Sequence, residues 1–262
     1  MFRKSKKVIS ILLTLCLLIS AYPLQVMASE SIDNQLINRG YPLKLIEIML
    51  DEEKTDLIAN DCYYDCANTY NYDEYGELIN VINFDENAIM TFGQIKTSHL
   101  SLTITKSKSG SNTVLTFNYD WKTLPLNRYQ DPMSLAWDSS IFSYKSGSFK
   151  KVDKYSYVLG DGSNGQVYTA TQSSETSYAN GSSNYISWYA DLKGYTSNVI
   201  KLYGYGSLTL VPKKTGKSTQ IFGHYVHNKT GVSLSLSYGA AGFSISGNST
   251  YDELGTDISL NS

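Results

Sequence analysis

The chain has 262 residues, with 22 Lys and Arg against 24 Asp and Glu, a formal net charge of −2, and 22 Tyr against 8 Phe and 3 Trp. That length holds one large β domain or two small ones, and a charge content of 18% is that of a soluble chain. Without a positive excess, general nucleic-acid binding is excluded.

At the start, Arg3, Lys4, Lys6 and Lys7 precede an apolar run from Val8 to Ile19, and Val26, Met27 and Ala28 stand before a cleavage point ahead of Ser29. This is the layout of a secretory signal peptide over residues 1–28. The run is too short to cross a bilayer, and no second apolar run follows to hold the chain there. The expectation is a secreted, extracellular protein, cleaved near Ala28, with no integral membrane anchor. Cleavage would leave eighteen basic against twenty-four acidic residues, a net charge of −6. Asp51 to Glu86 carries eleven acidic residues and one basic residue, Lys54, whereas Asn87 to Ser262 carries fifteen basic and ten acidic. The acidic front is therefore expected to dock on the basic body and cover its basic loops.

Residues 29–76 read as an acidic helical segment followed by a linker. Pro42 suits a first helical turn, Leu43, Ile46 and Leu50 share a face with Leu45 and Met49 beside it, and Asp51 reads as the N-cap of a second helix. Asp61 to Gly76 (DCYYDCANTYNYDEYG) is rich in Tyr and Asp and has little periodicity. It holds Cys62 and Cys66. Outside the cell such a pair reads as a local disulfide, with free structural thiols as the alternative. Cys16 falls within the signal, where Leu13 and Leu15 argue against lipid attachment.

Residues 77–262 read as an antiparallel β domain. Strands are expected at Leu78–Ile82, Leu100–Thr105, Val114–Trp121, Ser134–Tyr144, Lys154–Leu159, Gln166–Gln172, Tyr185–Leu192, Val199–Val211, Gln220–His227, Val232–Tyr238 and Gly242–Ser246. Leu100, Leu102 and Ile104 alternate with Ser101, Thr103 and Thr105, so one face is apolar and the other bears hydroxyls. Gly-bearing turns separate the strands. The fold class is thus mainly β: an antiparallel β-sandwich or barrel preceded by a short helical segment.

Chemical motifs are sparse. His224 and His227, three apart on a strand, diverge and read as surface or loop-end histidines. The stretch from Asp161 to Gly165 resembles the start of a calcium loop, but the twelfth position is Gln172 where an EF-hand needs Glu. Asp120, Asp131 and Asp138 lie near Trp121 and Trp137, as in some sugar-cleaving sites, yet each also has an ordinary turn or strand-end reading. No catalytic residue, metal ligand set or cofactor is assigned, and an enzyme is disfavoured. Lys150, Lys151 and Lys154, with Lys213, Lys214 and Lys217, fall in expected turns and are candidates for binding an anionic surface. Residues 232–246 alternate apolar residues with Ser, which suits a half-buried sandwich face or a membrane-inserting hairpin.

Arg39 to Lys54 (RGYPLKLIEIMLDEEK) resembles a helical segment near the start of many small secreted proteins of Gram-positive bacteria. Tyr119 to Asp138 (YDWKTLPLNRYQDPMSLAWD) is similar to a stretch in secreted proteins of bacilli and clostridia, some of them bacteriocin-like. The resemblance implies a Gram-positive secreted origin and transfers no site residues. The functional expectation is a non-catalytic protein that binds a cell-envelope polymer, a lipid surface or a protein partner, in a bacteriocin-like or defence role. A polysaccharide-binding or polysaccharide-cleaving module and a β-pore-forming toxin are the alternatives.

Overall fold

A computed structural model describes residues 30–85, 88–91, 98–159, 166–194, 196–239, 242–248 and 250–261, with the backbone alone at 88–91 and 258–261. The chain divides into Met1–Ser31 and Ile32–Ser262. The expected signal peptide and the calcium-like loop from Asp161 to Gly165 lie outside the described residues. Among the described residues, no helix is long and apolar enough to cross a membrane.

Three short helices open the second unit: α1 (Ile32–Asn38), α2 (Leu43–Ile46) and α3 (Asp51–Ala59). Pro42 is the N-cap of α2 and Leu50 that of α3, so Asp51, Glu52 and Glu53 form the first turn of α3, where the helix dipole favours acids. Only part of the expected apolar face is covered. Leu45, Ile46, Met49 and Leu50 are buried, while Leu43, the first residue of α2, is exposed.

The large sheet begins with β1 (Tyr63–Tyr72), β2 (Leu78–Asn83) and β3 (Ala88–Thr91). It continues through the long hairpin β4 (Leu100–Ser109) and β5 (Asn112–Trp121), then β7 (Phe142–Tyr144), β8 (Lys150–Val158), β9 (Val167–Glu175) and β12 (Val199–Pro212). Its order is β3-β2-β1-β4-β5-β12-β8-β9, with β7 also on β12. The small sheet has the order β10-β11-β6-β13-β16, from β6 (Gln130–Ala136), β10 (Asn180–Ser182), β11 (Tyr185–Asp191), β13 (Ser218–Asn228) and β16 (Tyr251–Asn261). A separate hairpin joins β14 (Ser235–Gly239) to β15 (Gly242–Ser246).

The two large sheets face each other across one apolar core, as a sandwich rather than a closed barrel. Leu102, Ile104, Phe117 and Leu208 of the large sheet meet Met133, Leu135, Trp188 and Ile221 of the small one. Trp188 stands edge-on to Phe117 at 6.4 Å. Gly206 of β12 admits the indole, since a Cβ there would lie 2.3 Å from Trp188 Cζ2. Trp121 Nε1 donates to Tyr225 Oη at 3.0 Å, so the polar tips of two large rings are satisfied inside the core.

Several elements depart from the sequence reading. The expected linker contains β1, which lies between β2 and β4. Its polar residues are stabilised by distant partners: Thr69 Oγ1 meets Thr103 Oγ1 at 2.7 Å, and Lys106 Nζ reaches Asp65 at 3.0 Å. β4 runs past its expected end at Thr105 to Ser109, leaving Gly110, at φ +58°, to make the turn. The expected strand 134–144 breaks at Asp138, whose carboxylate accepts the Ser140 N–H at 2.7 Å. The acidic, glycine-containing β16 has no strand pattern in sequence. It forms on β13, and Tyr70 of β1 donates to the Asp257 carbonyl at 2.8 Å.

Candidate functional site

The two faces of the large sheet have different neighbours. Its apolar face meets the small sheet, while its hydroxyl-bearing face turns toward α2 and α3. Cross-strand register builds that outer face in rows. One runs Asn80, Asn71, Ser101, Asp120, and continues to Tyr203 of β12; the next contains Thr69, Thr103 and Asn118. Such rows follow from a period of two combined with ordinary antiparallel pairing.

The helical segment is pinned over this face by acids. Glu52 accepts Lys154 Nζ at 2.6 Å, and Asp56 pairs with Lys150 at 2.6 Å while accepting the Tyr205 hydroxyl at 2.8 Å. Tyr41 donates to Ser107 Oγ at 2.7 Å, and Lys54 reaches back to Asp33 of α1 at 2.8 Å. Beneath these contacts Leu36, Tyr41, Leu45, Ile46, Leu57 and Phe84 form a second apolar cluster with Ala67 of β1 and Val114 of β5.

Between helices and sheet lies a cleft of about 600 Å³. The sheet supplies a floor of hydroxyls and amides, and Leu45, Ile48, Met49 and Leu50 supply an apolar cover. Glu53 lines it with only 1% exposure. Asn118 Nδ2 donates to Glu53 Oε2 at 2.6 Å. Burial raises the Glu53 carboxyl to about 7, against the lowering influence of Asn118 and the Leu50 backbone N–H. Glu53 Oε1, Thr105 Oγ1 and Asn118 Oδ1 are buried without a hydrogen-bond partner among the described residues. Unpaired buried oxygens are costly, and here three belong to residues of a single cleft. At another part of the lining, Asp120 pairs with Lys122 and lies 3.3 Å from Lys201 Nζ.

Lys150, Lys151 and Lys154 stand on β8 rather than in a turn. Lys150 and Lys154 face the acidic helix, while Lys151, 4% exposed, meets Asp153 and Glu175 at 3.1 Å each. Lys213, Lys214 and Lys217 lie in the connection between β12 and β13, and Lys213 Nζ donates to the Ser139 carbonyl at 2.8 Å. The Cys62–Cys66 link is not formed: both cysteines are free thiols. The extended chain between them spans about 13 Å, well beyond the Cα separation a disulfide accepts. Burial raises both thiols to about 11, so neither is activated.

Asp120, Asp131 and Asp138 do not converge. Asp120 lines the cleft, Asp138 is exposed, and Asp131 is fully buried. Asp131 accepts from the Tyr225 hydroxyl, from His227 Nδ1 at 2.9 Å and from the Asn228 backbone N–H at 2.9 Å. Burial raises its carboxyl, and these contacts oppose that rise. His224 and His227 are both buried, correcting the surface reading, because His224 packs on Phe243 of β15 and His227 on Trp121 of β5. His224 lies against Phe243 with ring centroids 4.3 Å apart, and burial lowers it to about 4, leaving it neutral near pH 7. Among the described residues, no three of His, Cys, Asp and Glu gather as metal ligands. Sequence reasoning missed the cleft. Its one signal was the hydroxyl alternation of β4, which carries no information about the helix above it.

Fold and cleft together define an antiparallel β-sandwich with a helical cover over the polar face of its larger sheet. No family model matches the chain, and no curated protein matches it. Solved structures bear a weak resemblance to it, among them toxin and surface proteins of Gram-positive bacteria. One described as a pore-forming protein is 11% identical, with a TM-score of 0.32, covering 63% of this chain and 88% of that one. The Clostridium perfringens delta-toxin is 12% identical, with a TM-score of 0.31, covering 64% and 87%. The C-terminal domain of the Streptococcus agalactiae AgI/II polypeptide BspA is 12% identical, with a TM-score of 0.29, covering 75% and 50%. Likeness at this level assigns no activity to the chain.

Proposed function

We propose that this protein is a secreted, non-catalytic binding protein that recognises a cell-envelope or partner surface, in a bacteriocin-like or defence role. The observation that supports this is the cleft itself. It is a concave site of small-ligand volume lined by residues whose buried oxygens have no hydrogen-bond partner among the described residues, whereas the aspartates that suggested hydrolysis lie in three different environments. The test is co-sedimentation of the mature protein with isolated Gram-positive cell walls, with whole cells, and with anionic lipid vesicles. Retention on walls or cells is expected; passage through all three sinks the reading.

A second reading rests on the β14–β15 hairpin. β13 and β16 pair as far as Asn228 and Tyr251, and the hairpin belongs to the 22 residues between them. Leu236 is buried while Ser237 and Ser244 are exposed, so its alternation suits a ribbon with one apolar face. Strands of five residues are shorter than the roughly 9–11 needed to cross a bilayer. Dye release from the vesicles would favour a pore-forming role; retention without release favours a binder.

A further inference from the structure

Resting on the binding role proposed above, we infer that the cleft between α2–α3 and the large sheet is a saccharide site, with Thr105 and Asn118 accepting hydrogen bonds from sugar hydroxyls. Thr105 is 1% exposed and Asn118 is 8% exposed, and each presents an oxygen with no partner among the described residues. These oxygens call for a ligand that brings several donors, and a sugar ring carries them at close spacing.

Charge narrows the choice. The lining holds three acidic groups, Glu47, Glu53 and Asp120, against three basic groups, Lys44, Lys122 and Lys201. The formal charges of the lining therefore balance, and the two lysines at one end share Asp120, so the cleft presents no cluster of cations of the kind a polyanion needs. The cover is apolar through Leu45, Ile48 and Met49, as suits the C–H faces of a pyranose. A peptide added as a further strand is disfavoured by geometry. Main-chain recognition uses a sheet edge, whereas this floor is a sheet face between central strands. At about 600 Å³ the cleft has the volume of an ordinary small-ligand site, enough for a short saccharide.

The experiment is calorimetric titration of the mature protein with chitotriose, cellotriose and maltotriose, repeated with Thr105→Val and Asn118→Leu. Thr105→Val removes a hydroxyl that has no partner, so its melting temperature should be unchanged or raised while affinity for the bound trisaccharide falls about tenfold. Asn118→Leu should also weaken binding, with a lower melting temperature because Glu53 loses its donor. Equal affinity of both variants and the parent would place binding elsewhere and overturn the assignment. No heat with any trisaccharide, alongside retention on cell walls, would overturn the saccharide site and leave the binding role standing. Failure of both measurements would remove the two together.

Discussion

Glu53 lies within the first turn of a helix, is almost wholly covered by a polar sheet face, and shares a hydrogen bond with a residue 65 positions away. Its carboxyl titrates near 7 when folded, above its ordinary value of 4.5, because burial disfavours the charged form. The folded chain thus holds that proton more tightly than the unfolded chain does. The resulting stability is fully present below about pH 4.5 and is lost as the pH rises through about 7. A shift of that size corresponds to roughly 3 kcal/mol. Glu53→Gln keeps an acceptor for Asn118 and removes the titration, so the variant should gain on the parent between pH 5 and pH 8. Urea unfolding of both proteins at the two pH values measures it; an equal difference at both would refute the burial argument.

At the scale of elements, β4 and β5 carry the architecture, because their alternation supplies the sandwich core on one side and the cleft floor on the other. Close approach of the two sheets depends on β12 as well. Gly206→Ala would bring a methyl group within 2.3 Å of Trp188 Cζ2 and 2.4 Å of Cε2. Overpacking of this kind costs about 1–3 kcal/mol. Gly255→Ala on β16, where a Cβ would meet nothing within 4 Å, serves as the comparison. Thermal unfolding should be lowered by several degrees in the first variant and nearly unaffected in the second; similar melting temperatures would mean that the indole is not confined there. Elements with strong alternation were readable in advance, notably β2, β4, β5, β11, β12 and β13. β1 and β16 were not, because Asn, Asp and Gly weaken local strand preference, and pairing on both sides of β1 or on β13 overrides it.

For the molecule as a whole, the acidic front is built into the fold. β1 lies inside the large sheet, and α1 to α3 share an apolar cluster with it and with β5. The sandwich core and the helical cover therefore share strands. Ile32–Ser262 should unfold in one transition, with far-ultraviolet circular dichroism and Tyr/Trp fluorescence changing together. Two separated transitions would mean that the helical cover melts alone. Charge complementarity between front and body was visible in the sequence, and the structure gives it definite partners in Glu52–Lys154 and Asp56–Lys150. Both pairs are only partly buried, so they direct docking more than they stabilise it.

Alternation and turn residues were enough to read out a β-sandwich class, the two-faced character of β4 and β5, and the opposition of acidic and basic segments. Each of these is local: a strand has a period of two, and a charge count needs no coordinates. The cleft arose from contacts between residues far apart in the chain. Glu53 meets Asn118 across 65 residues and Glu52 meets Lys154 across 102. Local periodicity assigns hydroxyls to a face, but what covers that face depends on chain closure over such distances. The separation of buried Asp131 from cleft-lining Asp120, grouped in the sequence reading and apart in the fold, has the same cause.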